Sequence, residues 1–404
     1  MIELPEIKTQ RIAVKVKTKA EKIIRQHHPW VFESSITKQN ADANAGDLVI
    51  IFDQKKNNFL ALGLYDPYSP IRIKIIQFDK GATINEDWFS EKIRNAYNKR
   101  IPLLETDTNS YRLLNGENDN FPGLIADVYK NVLVIKLYSH IWFPYLKTIL
   151  PLLLKKTGAE VMVMRMSRRL QSTGKNFNLT DGQVISGELD NEVVVFKEYG
   201  VNFSANVIHG HKTGYFLDHR ENRRKVGLLS QNKKVLDVFS YAGGFSVHAL
   251  ANNAAEVTSI DISAQALEMA KQNAQLNSPS GTHYTLTADA FEALQSLIEK
   301  KKKFDLVVID PPSFAKKEIE IDRALKSYAR LAKLGIQLVD KGGILVLASC
   351  SSRVLKEEFF ETSESAIKSL GFKFTVIEKT EHDVDHPITF PEGAYLKCGY
   401  YKVV

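Results

Sequence analysis

The chain has 404 residues, 44% of them hydrophobic and 25% charged, which fits two or three packed domains and excludes a disordered or fibrous class. No apolar run approaches the ~18 residues of a membrane span, and the stretch from Met1 to Glu6 lacks the basic start and apolar core of a secretory leader, so a cytoplasmic location is expected. A formal net charge of +7 admits a polyanionic partner, while two cysteines, Cys350 and Cys398, argue against a disulfide framework or a cysteine zinc site.

Residues 1–76 read as β-rich. Ile12 to Lys17 alternates, and Asp47 to Phe52, Phe59 to Tyr65 and Ile71 to Ile76 supply further short strands, with turns at Ala45-Gly46, Asn57-Asn58 and Asp66-Pro67. This spacing predicts a small closed or half-closed barrel. Between the first strands, Lys19 to Trp30 forms a basic helix running into His27-His28-Pro29-Trp30-Val31-Phe32, a segment that resembles the PUA domain, an RNA-binding barrel. His27 and His28 have no third ligand in reach of their spacing, so they read as packing or RNA-facing residues, and no metal site is expected.

Residues 77–190 form a second, α/β region. Asn85 caps a helix to Arg100, with Glu86 and Asp87 in its first turn. Tyr111 to Gly123 reads as a polar, turn-rich loop feeding a hairpin, Leu124 to Tyr129 and Val132 to Tyr138. A helix from Trp142 to Lys156 and a strand from Glu160 to Met166 follow. Arg165, Arg168 and Arg169 cluster at that strand's end, as an RNA-facing patch or a solvated one.

Residues 191–404 carry the chemistry. His209 to Arg220 (His-Gly-His-Lys-Thr-Gly-Tyr-Phe-Leu-Asp-His-Arg) reads either as a lid over a ligand, with Phe216 against it, or as the start of a helix capped by Asp218 with Arg220, Arg223 and Arg224 on a solvated face. Val235 to Phe239 is a short buried strand, Gly243-Gly244 permits a tight turn close to a ligand, and Phe245 to Leu250 opens a helix. Glu256 to Asp261 is the next strand, ending in an acid 24 residues after Asp237, the distance at which a βαβ unit sets a carboxylate on a ribose. Gly-x-Gly-x-x-Gly is missing, and Ser240 and Tyr241 fill the turn a pyrophosphate would need bare. Asp237 would repel a phosphate but suits a cationic tail. S-adenosylmethionine has that tail, an adenosine and no phosphate. The predicted ligand set is Asp237 for the methionine ammonium, Phe239, Ser240, Tyr241, Gly243 and Gly244 in the turn, Asp261 for the ribose and Asp289 for the adenine.

The alternation continues with strands at Tyr284 to Ala288, Phe304 to Ile309, Ile344 to Ala348, Phe372 to Ile377 and Leu396 to Val403. The segment Glu381 to Ala394 has no helical pattern, so the last strand should return antiparallel. Six parallel strands and an antiparallel seventh form a methyltransferase sheet, not a dinucleotide one. Asp310-Pro311-Pro312-Ser313-Phe314 closes the fourth strand, where two prolines remove N–H donors and Phe314 can stack on an extruded base. Cys350 closes the fifth. A thiolate adding to C6 of a pyrimidine makes C5 nucleophilic, so Cys350 fits a covalent catalyst, with Asp310 at N3, while Cys398 reads as core. No residue of the sequence stands out as the base that removes the C5 proton.

Taken together, His28 to Phe32, Asn115 to Leu124, His211 to Arg220, Asp237 to Phe245, Asp310 to Phe314, Ser349-Cys350-Ser351, Asp385-His386-Pro387 and Pro391 to Lys397 closely resemble the large-subunit rRNA cytosine-5 methyltransferase family, over the full length. The resemblance implies an α/β fold in three parts: a PUA-like RNA-binding barrel over 1–76, a small central α/β domain over 77–190, and a seven-stranded Rossmann-like class I methyltransferase domain over 191–404. It implies Cys350 as nucleophile, Asp310 in the base pocket beside Pro311, Pro312 and Phe314, S-adenosylmethionine as cofactor and 23S rRNA as partner. A homodimer is compatible with it. Many cytosine-5 enzymes carry a second cysteine after the prolines; Ser313 stands there, which requires a single-cysteine scheme. The rival readings are an rRNA base N-methyltransferase, such as one acting on guanine N7, with Cys350 a bystander, and a non-catalytic RNA-binding assembly factor.

Overall fold

The computed structural model describes residues 2–404. The chain divides into two compact units that interleave along the sequence: one takes the chain up to Lys197, Ser204–Leu217 and Val384–Pro391, the other Glu198–Phe203, Asp218–Asp383 and Glu392–Val404.

The first unit holds a six-stranded and a five-stranded sheet. The order in the six-stranded one is Trp30–Phe32, Ile71–Phe78, Phe59–Tyr65, Leu48–Phe52, Arg11–Val16, Ile36–Gln39. Its two outer strands are separated in sequence only by the 3-10 turn Glu33–Ser35, so the sheet must curl round on itself, which is the expected barrel. Alternation along Arg11–Val16 turns Ile12, Val14 and Val16 inward, and Ala20 and Ile24 of the helix Thr18–Arg25 join the same core. His28 lies edge-on to Trp30 and Phe390, a packing role.

The second sheet runs Gln183–Ser186, Val161–Met166, Val132–Leu137, Leu124–Tyr129, Ser110–Asn115. The last of these corrects the loop expected from Tyr111. Tyr111, Leu113 and Leu114 are buried, and the polar residues between and after them have fixed partners: Arg112 is paired with Asp127, and Asn115 donates to the Pro387 carbonyl. Asn85 does cap the helix Glu86–Leu104, accepting from the Trp88 N–H. The helix expected from Trp142 begins instead as a 3-10 turn, His140–Tyr145, before Leu146–Thr157. Of the arginine cluster, Arg168 and Arg169 are exposed, but Arg165 is buried, bonded to Asp181 and to the carbonyls of Val207 and Gly210.

The second unit is built on a seven-stranded sheet in the order Thr282–Thr287, Glu256–Asp261, Lys234–Val238, Phe304–Ile309, Val339–Ser349, Lys397–Val403, Phe374–Thr380. Neighbours are parallel except Lys397–Val403, which is antiparallel to both of its own. That is the predicted class I arrangement. Reversal of strand order beside Lys234–Val238 opens a crevice at the carboxyl ends, the usual ligand position in such sheets. The fifth strand starts earlier than expected, running through Gly342 and Gly343 with a register shift rather than after them.

Candidate active site

After Val238 the backbone makes three left-handed residues in close succession: Phe239 at φ 64°, Tyr241 at φ 48° and Gly243 at φ 78°. Such values are costly for a large side chain, and hydrogen bonds hold them: Ser240 N–H to Ile260 O at 3.0 Å, Tyr241 N–H to Asp261 Oδ2 at 2.9 Å, Gly243 N–H to Ser240 O at 2.8 Å. A Cβ on Gly243 would stand 2.8 Å from that of Ala270, so glycine is required both by conformation and by space. Gly244 begins the helix Gly244–Ala251.

Asp237 lies under this turn with no exposed surface. Its Oδ2 accepts the Ser246 N–H at 3.0 Å and the Ser246 hydroxyl at 2.6 Å, whereas Oδ1 has no partner among the described residues. Burial pushes the carboxyl up to about 7; the Ser246 bonds oppose this, and the charges of Asp310 and Asp261 add to it. A buried carboxyl with one bare oxygen suits a cationic donor. Ser240 Oγ is likewise buried without a partner among the described residues. Asp261 is half-buried and accepts from Tyr241 and Ser263. Asp289 is exposed, its Oδ1 capping the helix Ala290–Glu299 through Phe291 and Glu292. Phe216 is 39% exposed and belongs to the first unit; the other predicted cofactor residues belong to the second.

The ends of the fourth and fifth strands bring Asp310 and Cys350 together. Cys350 Sγ lies 3.9 Å from Asp310 Oδ1 and 3.4 Å from His219 Nε2, and that nitrogen is 3.4 Å from the same carboxylate oxygen. Burial pushes the Cys350 thiol well up, the negative charges of Asp310 and Asp218 push it further, and Lys397 opposes them. Lys397, itself buried and brought down by burial to about 8, donates to the carbonyls of Ser351, Val354 and Tyr395 and so fixes the backbone beside the thiol. The two flanking serines are also tied, Ser349 to the Tyr328 hydroxyl and Ser351 to the Ala315 carbonyl. Pro311 is buried and Pro312 exposed; Phe314 is half-buried, its ring 5.1 Å from that of Tyr328. Cys398 is fully buried.

His219 is not among the site residues predicted from the sequence. It sits at the N-cap position of the helix Arg220–Leu228 with no side-chain cap, while Asp218, expected to cap, accepts the Tyr395 hydroxyl at 2.9 Å. Of the three arginines that one of the two readings placed on a solvated face, Arg224 is partly exposed and paired with Glu221. Arg220 and Arg223 are buried, paired with Asp383 and Glu198.

Residues 111–398 match the family model of the S-adenosylmethionine-dependent methyltransferases, and residues 14–78 that of a PUA-like domain. The chain is 42% identical to a ribosomal RNA large subunit methyltransferase of Deinococcus radiodurans over 99% of each chain. It is 34% identical to ribosomal RNA large subunit methyltransferase I of Escherichia coli, over 93% of this chain and 96% of that one. Among solved structures, one from Streptococcus mutans described as a SAM-dependent methyltransferase superimposes with TM-score 0.80 over 97% of this chain and all of its own, at 20% identity. Another, described as a methyltransferase complexed with SAH, gives TM-score 0.80 at 20% identity over 98% of this chain and all of its own. At that identity both speak for the fold alone.

Proposed function

The chain belongs to the S-adenosylmethionine-dependent methyltransferase family, and from that premise we propose that it methylates C5 of a cytosine in large-subunit ribosomal RNA through a covalent bond from Cys350 to C6. The substrate class follows from the names of the relatives and from the PUA-like barrel. One observation supports this choice of target atom: a cysteine sulfur stands 3.9 Å from the carboxylate of Asp310 at adjacent strand ends.

S-adenosylmethionine, when bound, supplies an electrophilic methyl group. Asp237 would hold its ammonium, Asp261 its ribose and Asp289 its adenine, with the turn from Phe239 to Gly244 around the methionine. The remaining chemistry belongs to the chain. The Cys350 sulfur adds to C6 and the ring electrons move to N3, which Asp310 protonates; C5 is then an enamine carbon and a competent nucleophile. After C5 is methylated, its proton passes to solvent water, the C5–H electron pair forms the C5–C6 double bond, the C6–S bond breaks with its pair returning to sulfur, and N3 returns its proton to Asp310. Pro311 and Pro312 offer no competing N–H, so the base edge meets carbonyls and a carboxylate.

The test is nucleoside mass analysis of rRNA from a deletion strain complemented with wild type or Cys350→Ala. Wild type restores one 5-methylcytosine and the variant none. If the variant restores the modification, Cys350 is a bystander and the N-methylation reading takes over.

A further inference from the structure

The hydrogen-bond chain behind His219 decides which ring nitrogen carries a proton. Asn222 is 2% exposed, and its Oδ1 accepts the hydroxyls of Thr380 at 2.6 Å and Tyr400 at 3.0 Å. A separation of 2.6 Å is an O–H···O distance and too short for the usual N–H···O bond, which sets the amide oxygen toward the hydroxyls and the amide nitrogen toward the imidazole. That nitrogen lies 3.2 Å from His219 Nδ1. An amide NH2 only donates, so Nδ1 accepts and is bare in the neutral ring; the proton is on Nε2. Nε2 is the atom that faces both Cys350 Sγ and Asp310 Oδ1.

We infer that His219 is a fixed N–H donor to the Cys350 thiolate and that Asp310, not His219, accepts the thiol proton. The structure puts the same answer on both protonation states. Burial lowers the proton affinity of the ring, but Asp310 and Asp218 outweigh it and Arg223 only partly counters them. A second proton would go to Nδ1, against the Asn222 NH2, and would leave Nε2–H in place. The Phe245 ring, edge-on to the imidazole, offers no proton acceptor.

The protons at sulfur and N3 are then accounted for without an added base at sulfur, and the C5 proton alone leaves to solvent. The S–H proton passes to the Asp310 carboxylate, the sulfur pair forms the C6–S bond, and the Asp310 proton goes to N3 as the ring electrons arrive there. Throughout, Nε2–H is directed at sulfur, stabilising the thiolate before attack and again on expulsion. His219 is thus a positioning residue, and Asn222, Thr380 and Tyr400 act through it. This inference rests on Cys350 being the nucleophile, but its test does not need RNA.

The experiment is alkylation of Cys350 by iodoacetamide in the full-length protein, followed by peptide mass from about pH 6 to about pH 9, with buried Cys398 as internal control. His219→Gln keeps an N–H donor but no usable base; His219→Leu keeps neither. We expect His219→Gln to react within about threefold of wild type near neutral pH and His219→Leu to be at least ~10-fold slower, the loss of a charge-assisted hydrogen bond. His219→Gln as slow as His219→Leu overturns the donor role. The 15N spectrum of histidine-labelled wild type, with His219 assigned by its absence in His219→Gln, reads the tautomer without relying on a variant's fold: Nδ1–H with bare Nε2 overturns the assignment. If Gln outpaces Leu but no cytosine is methylated, the donor stands and the substrate reading alone falls.

Discussion

Arg100 in the first unit and Asp237 in the second are equally buried, both with no exposed surface, yet one is saturated with partners and the other is not. The five N–H groups of Arg100 meet five acceptors: both oxygens of Asp119, at 3.0 and 2.6 Å, and the carbonyls of Ala96, Arg112 and Asp385. Asp385 also accepts the Arg112 N–H, so the Asp385-His386-Pro387 segment is tied to the first unit's own strand Ser110–Asn115. Asp237 has Ser246 on one oxygen and, among the described residues, nothing on the other. Saturated buried charge holds a fold together; unsaturated buried charge is kept because something else completes it.

The two should therefore respond to mutation in opposite ways. Arg100→Met strands Asp119, whose carboxyl is held below its ordinary range because Arg100 outweighs the burial that would raise it. A loss of about 3–5 kcal/mol in urea unfolding is expected, most of it recovered in Arg100→Met/Asp119→Leu, because replacing a whole buried pair is far cheaper than halving it. If the double variant is as unstable as the single, the pair is not the unit of stability here.

Asp237→Asn removes an acid that burial already disfavours, and the amide oxygen can still accept from Ser246. Stability should be unchanged or slightly higher, while S-adenosylmethionine affinity by calorimetry falls about 10- to 100-fold through loss of a charge-assisted hydrogen bond. Equal affinity in the variant would remove Asp237 from the cofactor site.

The same group gives the comparison a pH axis. A carboxyl raised to about 7 in the free protein makes folding less favourable as pH rises from its unfolded value through 7, the opposite of a paired carboxylate such as Asp119. The ammonium binds only the ionised form, so cofactor affinity should rise with pH and level off above about 7, falling about tenfold per unit below it. Asp237→Asn should flatten that profile. A slope that survives the substitution belongs to another group.

How far the sequence could be read follows the same division. Periodic burial is visible in a sequence, so the seven-stranded sheet, its antiparallel last strand and the barrel were all predictable from alternation and from the helix-free stretch before Leu396. Strand-end acids were legible because a βαβ unit fixes their spacing: Asp237, Asp261 and Asp310 lie where the strands end. What is set by side chains meeting from distant segments was not legible. Ser110–Asn115 looks like a loop until Asp127, Asp119 and the Pro387 carbonyl satisfy its polar residues. Arg220 and Arg223 look solvated until Asp383 and Glu198 reach them. His219 lies 131 residues before the thiol it faces, and the only local hint was a histidine following an aspartate at a helix start.

Asp289 is the residue on which the division is closest, and the smallest effect tests it. It is exposed, and its Oδ1 is already used by two backbone N–H groups of the helix it starts, so it has the profile of a cap rather than of a ligand residue. Asn caps as well as Asp, so Asp289→Asn should leave stability within about 0.5 kcal/mol of wild type. An adenine amino group meeting this side chain needs an acceptor, and in Asn the oxygen is taken by the cap, which leaves NH2 facing NH2. Affinity for S-adenosylmethionine should then fall by about 3- to 10-fold, the worth of one exposed hydrogen bond, while Asp289→Ala loses that and about 1 kcal/mol of stability besides. Wild-type affinity in Asp289→Asn would assign the acid to the helix alone and leave the adenine to backbone groups.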